Sequence, residues 1–107
     1  MSETFALIQN LVRSNDIRIS EHGYDELAED NMTVQDILDG LAGGTAIEDY
    51  PHYPKGPSVL VLQFDRAGRP IHTVWGIPKG FTKPAVLVTA YRPDPMRWNE
   101  GFTERRK

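Results

Sequence analysis

The sequence predicts an α+β domain in which N-terminal helices pack on a four-stranded antiparallel β-meander. Three observations support this prediction. The chain has 107 residues, of which 39% are hydrophobic, and this suits one core and one domain spanning residues 1–107. Up to Gly44 the apolar residues recur at the helical period of 3.6, and beyond it they follow the strand period of two. Gly and Pro clusters divide the second half into short runs, which is typical of strands and turns.

Helical spacing in the first half of the chain predicts three helices. They are expected near residues 4–14, 21–30 and 33–43. Ser20 has the side chain to cap the second helix, whose inner face is predicted to carry Tyr24, Leu27 and Ala28. Thr33 opens the third helix in a capping box, so this helix has the clearest start signal.

The second half of the chain is predicted to form four strands, near residues 45–50, 58–65, 70–77 and 85–92. Asp65 and Gly68 stand where a tight hairpin turn needs them, between the second and third of these strands. The next connection is too short for a crossover, so consecutive strands are expected to pair antiparallel. Residues 17–19 are predicted as a further, very short strand.

Cysteine is absent from the chain, which excludes disulfides, thiolate nucleophiles and cysteine-ligated metal sites. Its absence fits a reducing compartment, and we expect a cytoplasmic location. The longest aliphatic runs, residues 59–62 and 85–88, are far shorter than the roughly 20 residues that cross a bilayer. No membrane association is therefore expected, and the first residues lack the pattern of a signal peptide.

The net charge of -3 hides an uneven distribution. Residues 1–50 hold 2 basic and 11 acidic side chains, whereas residues 51–107 hold 10 basic and 4 acidic ones. A basic half can orient an anionic ligand such as RNA by long-range steering. The alternative interpretation is that opposite charges help the two halves of the domain to dock. The last residues, about 99–107, are predicted to be a solvated basic tail.

Histidines provide the first candidates for chemistry, because phosphate-binding glycine loops and serine nucleophile motifs are absent. Their spacing matches no metal-ligand pattern, so neither a metal site nor a cofactor is expected. His22 lies in the first turn of a predicted helix, where the positive helix end favours a neutral imidazole that can act as a general base. His72 lies inside a predicted strand. For both, a structural role as a surface cap or a hydrogen-bonded strand residue is the alternative.

Tyr91 and Arg92 end the last predicted strand, where a rigid scaffold commonly presents functional groups. The planar guanidinium of Arg92 has the geometry to bind phosphate. The alternative is that an arginine at this position simply ends an exposed strand.

Four short segments together resemble a family of small bacterial domains of unknown function. The resemblance covers residues 17–98. The segments are Ile19-Ser20-Glu21-His22-Gly23, Ile47-Glu48-Asp49-Tyr50-Pro51, Pro70-Ile71-His72-Thr73-Val74 and Val88-Thr89-Ala90-Tyr91-Arg92-Pro93.

In its order of helices and meander, that family is similar to ribonuclease toxins of the BrnT and RelE type. The resemblance implies a metal-independent endoribonuclease in which His22 or His72 is the base or acid. It implies that Tyr91 is a proton donor and that Arg92 contacts phosphate. Relatives tend to carry arginines four and eight residues after His22, where this chain has Glu26 and Asp30. Two acids at these positions repel the phosphate backbone of RNA. A relative of such nucleases that has lost its activity is therefore also expected to carry acids there.

Two functions therefore compete. The first is a toxin-like protein that acts on RNA. The second is a non-catalytic interaction domain whose acidic helices bind a basic protein partner, such as an antitoxin. A small-molecule enzyme is a third, weaker interpretation.

Overall fold

Three helices and five strands form the fold in this computed structural model, which describes residues 2–107. The helices are α1 (Glu3–Arg13), α2 (Glu21–Glu29) and α3 (Val34–Leu41). The strands are β1 (Ile17–Ile19), β2 (Thr45–Tyr50), β3 (Ser58–Phe64), β4 (Pro70–Gly76) and β5 (Ala85–Tyr91). The predicted α+β class and the order of its elements are confirmed.

The strand order in the sheet is β1-β5-β4-β3-β2. Strands β2 to β5 form the predicted antiparallel meander. The prediction of a four-stranded, wholly antiparallel sheet is wrong, because β1 adds a fifth strand that runs parallel to β5. Ile17 pairs with Ala85 and Ile19 with Leu87, so the added strand covers backbone groups that would otherwise form an open edge. Three residues carry too little pattern to indicate such a distant partner.

Local capping sets where the helices begin. The hydroxyl of Ser20 accepts from the Gly23 N–H at 2.9 Å at the start of α2. At the start of α3, the Thr33 hydroxyl accepts from the Asp36 N–H at 3.1 Å while the Asp36 carboxylate accepts from the Thr33 N–H at 3.0 Å. This reciprocal pair is the predicted capping box, and its hydrogen bonds lower the pKa of Asp36.

The core lies between the helices and one face of the sheet. Its buried side chains include Ile8, Leu27, Ile37 and Leu41 from the helices, and Val59, Val61, Ile71, Trp75 and Leu87 from the strands. Two buried polar residues on the same sheet face, Gln63 and Thr73, bind each other at 3.2 Å. The Gln63 amide also donates to the Ile37 carbonyl at 2.8 Å, which anchors α3 to the sheet.

Helix α2 faces the core differently from the prediction. Gly23 and Leu27 are its buried residues, whereas Tyr24 is 56% exposed and Ala28 is also exposed. A Cβ at Gly23 would stand 2.9 Å from the Leu87 carbonyl oxygen, so glycine lets α2 approach β5 closely. With Gly23 and Leu27 on the side of α2 that meets the sheet, the Tyr24 ring lies outside the core.

The sheet face opposite the helices is called the open face here. Residues 93–107, called the C-terminal cover, fold back over part of it and bury Trp98. The backbone of Trp98 bridges to that of Arg105, which gives the cover a hairpin-like form. Residues 103–107 are exposed, yet Arg105 is bound to the sheet through Glu48. Within residues 2–107, no helix is long and apolar enough to span a bilayer.

Candidate functional site

His72 and Tyr91 lie side by side on the open face, one on β4 and the other on β5. They are partners in the strand register, and 3.2 Å separates the His72 Nδ1 atom from the Tyr91 hydroxyl oxygen. The other ring nitrogen, Nε2, lies 2.8 Å from the carbonyl oxygen of Phe102 in the cover. A carbonyl only accepts, so Nε2 carries the proton and Nδ1 accepts from the Tyr91 hydroxyl.

Burial keeps both members of this pair uncharged. The His72 ring is fully buried, and this desolvation lowers its pKa, although the Phe102 carbonyl and the charge of Glu48 oppose the shift. Burial likewise raises the pKa of Tyr91. Near pH 7 the pair is therefore a neutral imidazole that accepts a hydrogen bond from a neutral phenol.

Trp98 closes the C-terminal cover over His72. The two ring centroids lie 4.3 Å apart with the planes at 84°, which is an edge-to-face contact. The guanidinium of Arg105 lies over the Trp98 ring, 4.7 Å from its centroid. His72 is thus separated from solvent by one aromatic side chain and one arginine.

Glu48 on β2 binds the cover from the sheet side. Its two carboxylate oxygens accept from Arg105 at 3.0 and 3.2 Å, and one of them also accepts from the Tyr50 hydroxyl at 2.6 Å. Burial alone would raise the pKa of Glu48, but the hydrogen bonds from Arg105 and Tyr50 lower it overall. Glu48 therefore stays ionised beside the neutral His72.

The His72 cluster is defined here as Glu48, His72, Tyr91 and Arg105. Sequence reasoning did not single out Glu48 or Arg105 as site residues. Period-two alternation in β2 does not reveal that Glu48 lies on the same sheet face as His72, because a register irregularity between Ala46 and Glu48 shifts the pairing with β3. Arg105 lay in the predicted tail, where nothing local indicates a partner 57 residues away.

Arg92 is close in sequence to Tyr91 but is engaged elsewhere. Its guanidinium binds the Asp65 carboxylate at 2.8 Å and donates to the Pro70 carbonyl at 3.2 Å. Its backbone N–H donates to the Asp30 carboxylate at 3.0 Å. Arg92 therefore joins the end of β5 to the β3–β4 hairpin and to the end of α2.

His22 lies apart from the other three predicted site residues. It is on α2, in the helical layer, with 66% of its side chain exposed, and its Nε2 atom is 3.5 Å from the Glu26 carboxylate. His72 points to the opposite side of the sheet. Of the four residues predicted from the sequence, the structure brings together His72 and Tyr91. It places Arg92 in an ion pair and leaves His22 at the surface.

An apolar groove of about 490 Å³ crosses the part of the open face that the cover leaves free. Its floor is formed by Val74, Gly76, Val86 and Val88. One wall comes from the end of β2, which carries Tyr50, and from the following loop, which carries Tyr53 and Lys55. Arg18, on β1 at the other edge of the sheet, also lines the groove. The lining residues include no carboxylate, and within the described chain neither Arg18 nor Lys55 forms an ion pair. The groove is therefore apolar below and cationic at its rim.

The helical layer has the opposite charge. On α2 the exposed side chains include Glu21, Asp25 and Glu29 around Tyr24, and the helix has no basic residue other than His22. The two sides of the domain thus offer a basic groove and an acidic helix. In residues 2–107, no three His, Asp or Glu side chains are gathered as a metal-ligand group.

Comparison with known protein families finds one matching model, described as a domain of unknown function (DUF4258), over residues 19–92. The matched span holds His22, Glu48, His72, Tyr91 and Arg92 and ends before the C-terminal cover. No curated protein and no solved structure matches the chain. These comparisons give no support to the likeness to BrnT and RelE toxins. The model covers well over half of the chain, which therefore belongs to the DUF4258 family of domains of unknown function.

Proposed function

We propose that this domain acts on RNA, which it holds in the groove on the open face of its sheet. The observation that carries the proposal is the combination in one groove of two exposed tyrosines, two cations without ion-pair partners and an apolar floor. Ligand pockets commonly have volumes of about 300–1,000 Å³, and this groove falls within that range.

The chemistry of the groove suits a single strand of RNA. Tyr50 and Tyr53 offer aromatic faces on which unpaired bases stack, and stacking of this kind tolerates any base sequence. Arg18 and Lys55 stand at the rim, where backbone phosphates would lie when the bases point inward. No carboxylate lines the groove itself, and the nearby Glu48 carboxylate is neutralised in part by its ion pair with Arg105. The acids at Glu26 and Asp30 lie in the helical layer, away from this face.

The toxin-like activity implied by the family resemblance belongs to the same proposal. Metal-independent cleavage of RNA needs a base, an acid and a group that stabilises developing negative charge. The His72 cluster offers a carboxylate, an imidazole and a phenol on the same sheet face as the groove, and two cations without ion-pair partners, Arg18 and Lys55, stand at the groove rim. In the observed arrangement the imidazole binds the phenol and the C-terminal cover, and the carboxylate binds Arg105 of that cover.

Fluorescence anisotropy with a labelled single-stranded RNA tests the binding step. The double variant Arg18→Glu/Lys55→Glu should raise the Kd at least about tenfold, because two attractive phosphate contacts become repulsive. The matched control is Arg13→Glu/Arg66→Glu, which changes the net charge equally at exposed positions outside the groove. The control should change the Kd much less. Equal weakening in both double variants, or no binding by the wild-type protein, would contradict the proposal.

A second candidate function is binding of a basic protein by the acidic side of α2. The exposed ring of Tyr24, surrounded by Glu21, Asp25 and Glu29, favours it. Affinity capture from a ribonuclease-treated cell lysate should then recover one basic protein in a 1:1 ratio to the wild-type chain. It should fail with Asp25→Lys/Glu29→Lys and survive Arg18→Glu/Lys55→Glu. Capture that is unaffected by the α2 changes would contradict this function.

A further inference from the structure

We infer that the C-terminal cover, residues 93–107, holds the His72 cluster closed as a latent ribonuclease site, which cleaves bound RNA only when the cover lifts. The inference rests on the proposed function, since it concerns the regulation of the same open face. In this account residues 93–107 are an inhibitory segment, and Glu48, His72 and Tyr91 have separate roles in the cluster.

The cover hydrogen-bonds and buries the side-chain atoms of His72 and Glu48 that a substrate would have to contact. The Phe102 carbonyl accepts a hydrogen bond from the His72 Nε2–H at 2.8 Å, and the Trp98 ring lies against the imidazole. Both oxygens of Glu48 accept from Arg105. With His72 fully buried, no phosphate can reach its ring in this arrangement.

The cover is attached in a way that allows it to lift. It follows the last strand, so its removal leaves every strand ladder of the sheet intact. Its contact with Glu48 is a two-point ion pair from an arginine that is 62% exposed to a carboxylate that is 23% exposed, so solvent can compete for the guanidinium. Many of its other hydrogen bonds are internal, such as those between Asn99 and Thr103. The match to the family model also stops at Arg92, just before the cover begins.

Lifting the cover would change the chemistry of two groups. His72 would regain solvent, which removes the burial that disfavours its charged form, and it could then hold a proton on each ring nitrogen. Nδ1 would donate to the Tyr91 oxygen, so Tyr91 is a positioning residue that orients the ring. Glu48 would lose its two hydrogen bonds from Arg105 and become free to accept a proton.

The uncovered cluster can then carry out a balanced transesterification. Glu48 takes the proton of a ribose 2′-hydroxyl while the 2′-oxygen forms a bond to the adjacent phosphorus. The bond from phosphorus to the 5′-oxygen breaks, and that oxygen receives the Nε2 proton of the His72 imidazolium. The products are a 2′,3′-cyclic phosphate and a 5′-hydroxyl. Glu48 returns its proton to water and His72 regains one, so no co-reactant is consumed.

The test compares cleavage of a labelled single-stranded RNA in EDTA by the full chain and by full-length cover variants. Trp98→Ala/Arg105→Glu removes the packing on His72 and sets two carboxylates against each other. It should cleave at least about tenfold faster than the wild type and leave cyclic phosphate ends. Adding His72→Gln should abolish the gain. Arg106→Glu, an equal charge change in the cover that does not touch Glu48, is the control and should give no gain.

Two further measurements make the outcome decisive. NMR titration of the His72 ring reports whether the cover has lifted, since its pKa should move up toward the ordinary value of about 6.5. Anisotropy reports RNA binding independently of cleavage. The inference is overturned if a variant with uncovered His72 binds RNA and cleaves no faster than the wild type, or if cleavage survives His72→Gln. Absence of binding by every variant would instead overturn the proposed function. Should the double variant fail to fold, Arg105→Glu alone provides the same comparison.

Discussion

His72 on β4 and Tyr91 on β5 are register partners on the open face of the sheet, and 3.2 Å separates Nδ1 from the phenol oxygen. The strand pairing thus places the two side chains next to each other. The C-terminal cover then satisfies the remaining ring nitrogen through the Phe102 carbonyl. A buried histidine with both ring nitrogens hydrogen-bonded contributes to the stability of the fold.

Replacing His72 by alanine should lower the free energy of unfolding by about 2–4 kcal/mol. The change removes a buried ring, leaves a cavity beneath Trp98 and leaves the Phe102 carbonyl without its donor. Tyr91→Phe should cost only about 1 kcal/mol, since it removes one hydrogen bond and keeps the ring. Urea denaturation measures both. A cost below about 0.5 kcal/mol for His72→Ala would show that the cover contributes little to the fold.

Stability should fall as the pH is lowered from about 7.5 to 5, because His72 is held neutral in the folded state. The unfolded chain takes up a proton below the ordinary histidine pKa of about 6.5, whereas the folded chain resists protonation. The stabilisation is therefore complete above that pKa and is lost progressively below it. Tyr91, Glu48 and Arg105 face the ring, and the Glu48 charge makes the loss smaller than burial alone would.

Urea denaturation at a series of pH values measures this dependence. His72→Gln should flatten it between pH 7.5 and 5, because the substitution removes the buried imidazole. An unchanged pH dependence in His72→Gln would assign it to other groups.

Arg92→Gln should destabilise the fold by about 1–3 kcal/mol and leave RNA binding unchanged. The change removes the ion pair with Asp65, a carboxylate that is only 9% exposed and whose pKa is lowered chiefly by the Arg69 backbone N–H and further by Arg92. Thermal unfolding and anisotropy measure the two effects. Loss of binding with unchanged stability would instead support the phosphate-binding role predicted from the sequence.

Gly56→Ala should be among the most damaging single-methyl changes in the loop beside the groove. Gly56 has φ +126°, and a Cβ there would stand 2.0 Å from the Ile77 carbonyl oxygen, so backbone would have to move. We expect a loss of at least about 2 kcal/mol in urea denaturation. Gly68→Ala is the control. Its φ is +77° but its Cβ would meet nothing within 4 Å, so the loss should be about 1 kcal/mol. Equal losses at both glycines would contradict the proposed clash.

The elements of the fold could be predicted because their signals are local. Helix starts depend on Ser20 and Thr33, whose caps involve residues only three positions away. The β3–β4 hairpin depends on Asp65 and Gly68, and the turn forms as predicted. The partner of β1 could not be predicted in this way, since Ile17 pairs with Ala85 far along the chain.

Less of the candidate site could be predicted from the sequence, because its contacts join residues that lie far apart in the chain. Alternation along β4 and β5 places His72 and Tyr91 in strands, but their contact depends on the register between the strands. The pairing of Glu48 with Arg105 leaves no pattern in either segment. The same holds for the ion pair that engages Arg92, because Asp65 looks like an ordinary turn residue.

Mapping a short single-stranded RNA onto the full chain by NMR chemical-shift changes tests the central claim most directly. Binding on the open face predicts shift changes at Val74, Val86, Val88 and Tyr53, with α2 around Tyr24 and Asp25 unaffected. Changes confined to α2, or no changes at RNA concentrations that saturate the anisotropy signal, would contradict an RNA site on the open face.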